Sequence, residues 1–339
     1  MNQVETMTPD MSRGETPGAG AVRSPGLDAG RIRAVVVIAT FRRPAMLAET
    51  LASVAAQRTA VPFAVVVVEN DAVRREGLAV AGGWLSRGTL AGIAAVEAAQ
   101  GNVHAINAGF ALALKAFPAA EHILMIDDDE RASADWLDLM VAAAERTDSD
   151  VVGGPVVPQF REETTAMLAR HPVFWPSHDR TGPVAMIYGT GNCLVRRRVF
   201  ERLGERPLDT RFNFLGGGDM DFFTRCRDAG LRSHWVQEAL ITETVPPDRA
   251  RIGWVLRRGM RIGSINRAVE VKHRRGAFAG ARIVAKDLAI VPLALARALL
   301  ALARTGNPMI AAHPLAVSAG RIAAWAGIEQ QPYRADAPS

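Results

Sequence analysis

Four consecutive acids, Asp127, Asp128, Asp129 and Glu130, follow the apolar run HILMI at residues 122–126. Carboxylates set side by side repel one another unless a cation lies between them. Hard divalent ions such as Mg²⁺ or Mn²⁺ take oxygen ligands, and commonly use one or two carboxylates together with substrate phosphates. If Ile126 closes a strand, side chains alternate along it, so Asp127 and Asp129 project to one side and Asp128 to the other. The run then offers a two-carboxylate cation site. A calcium loop of the EF-hand kind is excluded, because its spacing and its internal glycine are both missing. A solvated acidic loop is the plain alternative, and the placement after an apolar strand argues against it. A second acidic stretch, GGGDMDFFTRCRDAG at 216–230, reads as a glycine-rich turn entering a helix. Aspartate is favoured at helix N-caps, and Asp221, just before Phe222, suits that position better than Asp219.

These residues need elements to hold them. RAVVVIAT (33–40), FAVVVVEN (63–70) and HILMI (122–126) are apolar, β-branched runs of the kind expected for strands buried on both faces. Between them, PAMLAETLASVAAQ (44–57) and NVHAINAGFALALKAF (102–117) carry apolar residues at helical spacing, the first with a proline in its opening turn. Strands alternating with helices predict a parallel, doubly wound α/β sheet. In such sheets ligands settle outside the carboxyl ends of the strands. Three polar clusters belong there: Thr40 to Arg43, Glu69 to Asp71, and the four acids. The second half is less regular, with strand character at 151–158, 184–195 and 231–243. GTGNCL (189–194) imitates a dinucleotide fingerprint but lacks its third glycine, and Asp209 beyond it does not end an apolar strand.

Composition narrows the class. Of 339 residues 49% are hydrophobic and 22% charged, as in an ordinary globular chain. Only three of the 40 basic residues, Lys115, Lys272 and Lys286, are lysine. Two cysteines, Cys193 and Cys226, are too few for a disulfide framework and fit a reducing compartment. The first thirty residues are rich in Gly, Pro, Ser and Thr without an apolar stretch of signal-peptide length, so they read as a flexible tail. From Arg249 to Lys286 there are eleven basic residues against one acid, Glu270. No nucleic-acid reading motif accompanies them, and no nucleic-acid partner is expected. Two apolar segments follow, 288–303 and 309–328, each interrupted by proline and arginine. Beside a basic stretch they suit peripheral attachment to an anionic membrane surface on its cytoplasmic side; docking onto the rest of the chain is the alternative.

The order of motifs resembles the family 2 glycosyltransferases of the A-type nucleotide-sugar fold, particularly their bacterial exopolysaccharide, succinoglycan-type branch. The resemblance runs from about Arg33 to Gly263. It rests on VVVIATFRRPAMLAETLASVAAQ, VVVVEND, GNVHAINAGFALAL, ILMIDDDERASADWL, GTGNCLVRRRVFERLG, GGGDMDFFTRCRDAG and VPPDRARIGWVLRRGMRIG. It implies a mostly parallel sheet flanked by helices in a catalytic domain at 31–247, with a basic and apolar helical extension at 248–339. It implies further that Asp127 and Asp129 hold Mn²⁺ or Mg²⁺, and that Thr40, Glu69, Asn70, Asp71, Asn107 and Asp128 face the nucleoside diphosphate sugar, a UDP-sugar by expectation. Arg257 and Arg258 would meet its diphosphate. Asn192, Asp221 and Trp254 would lie toward a glycan acceptor carried on a lipid, and Asp219 would be the base of an inverting transfer. One departure stands out, since Gly218 occupies the place of the branch's usual glutamate. A nucleotidyltransferase and a catalytically inactive sugar-nucleotide-binding or membrane-binding module are the competing readings.

Overall fold

The computed structural model describes residues 20–328. Its first half runs β1 (Val22–Arg23), β2 (Ala34–Thr40), α1 (Pro44–Ala55), β3 (Phe63–Glu69), α2 (Glu76–Ser86), β4 (Gly92–Val96), α3 (Asn102–Ala116) and β5 (His122–Met125). The second half adds β6 (Glu130–Ala132), α4 (Trp136–Thr147), β7 (Val151–Gly153), β8 (Val156–Phe160), α5 (Ala166–Ala169), β9 (Gly182–Val184), β10 (Cys193–Arg196), α6 (Arg197–Leu203), α7 (Gly218–Asp228), β11 (Ser233–Trp235) and β12 (Ile241–Val245). Three helices close the chain: α8 (Ile252–Lys272), α9 (Ala279–Thr305) and α10 (Pro308–Trp325).

Nine strands form the main sheet in the order β1-β4-β3-β2-β5-β10-β7-β11-β9. The run β4-β3-β2-β5 is parallel throughout, as the alternating strand and helix signals require. Val35 and Val37 of β2 pack into the core on one side of the sheet with Phe110 and Phe117 of the α3 region. Val36 and Ile38 pack on the other with Leu47 and Leu51 of α1 and Trp136 of α4. Both sides of the strand are thus covered, which is why its sequence shows no polar alternation. Each such aliphatic side chain contributes about 1.5–3 kcal/mol when fully buried.

The sheet is mixed rather than wholly parallel. β10 lies antiparallel to both β5 and β7, while β9 and β1 are antiparallel at the two edges. These strands are two to four residues long, too short for a periodic signal to set their direction. β1 also falls inside the stretch read as a flexible tail, so order begins earlier than expected; the remainder of that reading, residues 1–19, lies outside the described residues. A small second sheet, β6-β12-β8, sits where the chain leaves β5.

The C-terminal helices pack on one another through small residues. A methyl group added to Gly263 of α8 would fall 1.9 Å from the Val317 carbonyl oxygen, and one added to Gly320 of α10 would fall 1.7 Å from that of Met260. Only glycine permits backbones to approach so closely. Among the described residues no helix is long and apolar enough to cross a membrane.

Candidate active site

Two parallel strands that start crossovers in opposite directions leave a crevice at their carboxyl ends, and here those strands are β2 and β5. Thr40 closes β2, and its hydroxyl donates to Asp128 Oδ2 across the crevice at 2.8 Å. From the loop after β2, Arg42 Nε donates to Asp71 at 2.7 Å. Arg43 Nη1 donates to Asp128 at 3.0 Å and to Asp129 at 2.9 Å. The three polar clusters at the strand ends are therefore joined into one network.

The acidic run is a turn, not the end of a strand. β5 stops at Met125, and the Glu130 amide donates to the Asp127 carbonyl at 3.2 Å. Strand alternation consequently does not apply, and Asp128 and Asp129, expected on opposite sides, share one guanidinium nitrogen. Asp127 has no ion pair among the described residues; its amide donates to Glu130 Oε2 at 2.8 Å. Burial, then the neighbouring Asp129 and Asp128 carboxylates, push the Asp127 carboxyl up to about 8. Burial likewise raises Glu130 well above the usual carboxylate range, with Asp127 adding to it. Glu243 of β12 is the cross-strand partner of Glu130 in the small sheet, and it too is raised, first by burial and then by Asp129. Like charges directly opposite in a sheet are destabilising. Arg249 answers part of this, with Nη1 2.9 Å from Glu243 and 3.6 Å from Asp129.

A cleft of about 840 Å³ opens over these groups. Thr40, Arg43, Asn70 and Asp127 to Glu130 line its strand side, and Trp254, Arg257, Arg258 and Arg261 of α8 line the other. Trp254 stacks on Phe174 at 5.8 Å between ring centres, with planes 7° apart. One wall is thus rich in carboxylates and the other in guanidinium groups, an arrangement that suits a cation bridged to a polyphosphate. The donor set fits such an ion: hard oxygens, a carboxylate without an ion-pair partner, and more negative charge than Arg43 and Arg249 offset. Among the described residues no three His, Cys, Asp or Glu side chains are arranged to hold a metal alone.

Several residues singled out from sequence sit elsewhere. Glu69 is buried, accepting from the Asp71 and Gly77 amides at 2.7 and 2.6 Å, while Asp71 accepts from the Val73 and Arg74 amides; both brace the β3–α2 loop behind the cleft. Asn70 lines the cleft, but its side chain is spent on the Glu97 and Ala99 carbonyls and the Gly101 amide. Asn107 spans the Leu208 amide and carbonyl. Asn192 holds Trp136 Nε1 and the carbonyls of Pro155 and Ala239, and is only 3% exposed. Asp221 is wholly buried, beneath Arg225, Lys272 and His273.

Asp219 stands half-buried in the first turn of α7, off the lining of the cleft and beside Gly189. The Cys193 thiol, held high chiefly by burial, also feels Asp127, Glu130 and Asp219, so these carboxylates surround the same end of β10. Neither Asp219 nor Asp221 caps the helix. The N-cap is Gly217, whose φ of 91° follows 84° at Gly216, a left-handed pair that glycine adopts without strain. Gly218 is packed, its missing Cβ position 3.1 Å from Val103 Cγ2 and 3.5 Å from Leu208 Cδ2.

Sequence reading did not single out Arg43, Glu243 or Arg249 individually. Glu243 had one available signal, an acid inside the otherwise uncharged strand ITETV. The arginines had none beyond a generally basic surrounding.

Comparison with known proteins adds a second line. Residues 35–204 match the family described as Glycosyl transferase family 2, and residues 122–302 match Glycosyl transferase family group 2. The chain is 31% identical over 236 residues to the succinoglycan biosynthesis protein ExoM of Rhizobium meliloti (strain 1021), covering 67% of this chain and 71% of that protein. Its fold is similar to that of the mannosyltransferase PcManGT from Pyrobaculum calidifontis, solved in complex with GDP-Man and Mn²⁺. That likeness has a TM-score of 0.56 at 19% identity and covers 89% of each chain. Matched over half its length by the family and by a curated relative over two thirds, the chain belongs to glycosyltransferase family 2 and is a glycosyltransferase.

Proposed function

We propose that the protein transfers a sugar, with inversion, from a nucleoside diphosphate donor to a glycan acceptor in exopolysaccharide assembly. The observation that carries this reading is the single cleft in which Asp127 and Asp129 face Arg257 and Arg258. The name of the 31% identical relative supports the exopolysaccharide setting. A UDP-sugar is the donor we expect; since a protein of similar fold was solved with GDP-Man, both bases belong in the assay.

In this reading Asp127 and Asp129 hold Mn²⁺ or Mg²⁺, which when bound supplies Lewis-acid neutralisation of the diphosphate. Arg257 and Arg258 grip the same diphosphate from α8 and stabilise charge that grows as the sugar–phosphate bond breaks. Asp128, fixed by Thr40 and Arg43, shapes the floor under the donor. Trp254 and Phe174 offer an apolar platform for a pyranose face. Asp219, off the cleft lining at the end of β10 that Asp127 and Glu130 also approach, is the group we assign to take the proton from an acceptor hydroxyl entering from that side, away from the diphosphate. A lipid-linked acceptor, with peripheral attachment of the enzyme to a cytoplasmic membrane face, fits the leucines that α9 exposes.

The test is release of nucleoside diphosphate from UDP- and GDP-sugars with and without Mn²⁺, in parallel with donor binding by thermal shift. Asp219→Asn should bind donor as the wild type does and lose transfer about 10²–10⁴-fold, the usual worth of a positioned base. A fully active Asp219→Asn protein removes Asp219 from that role. Binding of donors with no turnover under any condition overturns the transferase cycle drawn here.

A further inference from the structure

Within the donor cleft proposed above, on which this assignment rests, we infer that the Asp248 carboxylate selects the sugar: it takes hydroxyls of a neutral pyranose and turns away a uronic acid. The other acids of the cleft are already engaged. Asp128 and Asp129 are bridged by Arg43, and Glu243 is met by Arg249. Glu130 accepts from the Asp127 amide, and the Asp127 carboxylate is assigned to the cation. Asp248 lines the same cleft, yet its side chain is exposed and has no hydrogen-bond or ion-pair partner among the described residues. An ionised carboxylate only accepts, and its hydrogen bonds are roughly twice as strong as those between neutral groups.

Its place is held by the backbone. Asp248 lies in the turn between β12 and α8, where the Arg249 and Ala250 amides donate to the Pro246 carbonyl at 3.0 and 3.3 Å. Pro246 and Pro247 stiffen that turn, since each ring fixes its own φ. The carboxylate therefore stands where the strand that carries Glu243 passes into the helix that carries Arg257 and Arg258.

The chemistry of the lining points to the sugar rather than the diphosphate. Val245 before Asp248 and Trp254 beyond it line the cleft, and Trp254 is stacked on Phe174, which lines it too. They supply apolar surface with a carboxylate in the adjoining turn, whereas the arginines of α8 suit phosphate oxygens. A pyranose has the matching character: C–H faces that pack on aromatic rings, and hydroxyls that donate to the few polar groups fixing its orientation. A uronic acid in the same place would set its own carboxylate against Asp248, and like charges brought together are disfavoured.

The test is calorimetry of the full chain with Mn²⁺ and each of UDP, UDP-glucose, UDP-glucuronate, GDP and GDP-mannose. Asp248→Ala should lose about tenfold in affinity for whichever neutral-sugar donor wild type binds best, and nothing for the bare nucleotides, because the lost hydrogen bonds act on the sugar alone. Its melting temperature should match wild type, since the exposed side chain braces nothing in the fold. Wild type should bind UDP-glucuronate at least about fivefold more weakly than UDP-glucose, and Asp248→Asn, which keeps the shape without the charge, should narrow that gap. The proposal falls if Asp248→Ala binds sugar donors and bare nucleotides in the wild-type ratio, or if wild type prefers the uronate. It also falls if Asp248→Ala weakens the bare nucleotides as much as the sugar donors. Wild type that binds none of the five overturns the donor cleft itself, whereas donors bound with indifference to Asp248 remove this assignment alone.

Discussion

Two groups of buried acids in this protein are treated in opposite ways. Beneath the C-terminal helices, Asp221 is met by Arg225, Lys272 and His273, and Asp287 by Arg267 and Arg321. Burial alone would raise Asp221, yet the bonds from Lys272 and His273 and the charge of Arg225 hold it below the usual carboxylate range. In the cleft, Asp127, Glu130 and Glu243 crowd together and all three are raised. The first group is saturated with cations and ties helices together. The second is left short of positive charge, which is the condition of a site built to receive it. Position in a cleft is thus a weaker guide than the balance of charge.

Breaking the saturated group should cost the most. Asp287→Ala leaves Arg267 without its partner and Arg321 with Glu270 alone, and should lower stability by about 3–5 kcal/mol, seen as a lower urea midpoint. Asp127→Asn should do the reverse to stability and worse to function. Transfer should drop about 10²–10³-fold, comparable to removal of a preorganised electrostatic group, with metal-dependent donor binding lost. The metal-free variant should nevertheless melt higher than wild type, at about 2–4 °C for each kcal/mol of repulsion relieved. A variant that melts lower would mean that Asp127 is paired in solution and that the two groups are alike.

Acidity sharpens the contrast, because the two groups have opposite signs. Asp127, raised to about 8, keeps in the folded state a proton that the unfolded chain releases near the ordinary value of about 4. The folded state therefore binds more protons across that window, and stability falls as pH rises through it. Asp221 is depressed, so its contribution is complete above the unfolded value and is lost as pH falls through the folded one. Melting temperatures measured against pH should depart from wild type in opposite directions: Asp127→Asn should rise above it progressively between about pH 4 and 8, and Asp221→Asn should fall below it once pH passes the ordinary carboxylate value of about 4. Mn²⁺ affinity should rise with pH up to about 8, by up to tenfold per unit, since the ligand must lose its proton. The smallest effect expected is that of Arg43→Gln. Its guanidinium bridges Asp128 and Asp129, and its loss should tighten Mn²⁺ binding a few-fold, about 1 kcal/mol, as read by calorimetry.

How far the sequence revealed this follows from the range of the interactions. β2, β3 and β5 declare themselves because each is covered on both faces by flanking helices, and the acids are found because they follow such a strand directly. Asn192 and Asp221 look like cleft residues in a linear reading. Their roles are set by partners 37 to 56 and 4 to 52 positions away, which no local pattern displays. The pairing of Glu130 with Glu243 depends on β12 returning beside β6, more than a hundred residues later. The antiparallel insertion of β10 was hidden for the same reason, its register being imposed by β5 and β7.

α8 has a consequence for anyone who would shorten or recombine this chain. It places Trp254, Arg257 and Arg258 over the cleft near its start, and about 21–27 Å further on, at about 1.5 Å per residue, Lys272 grips Asp221 on the helix that bears Asp219. A cut at residue 247 would take away one wall of the cleft, and a chimera that exchanged the C-terminal helices between relatives would import a foreign half of its lining along with them.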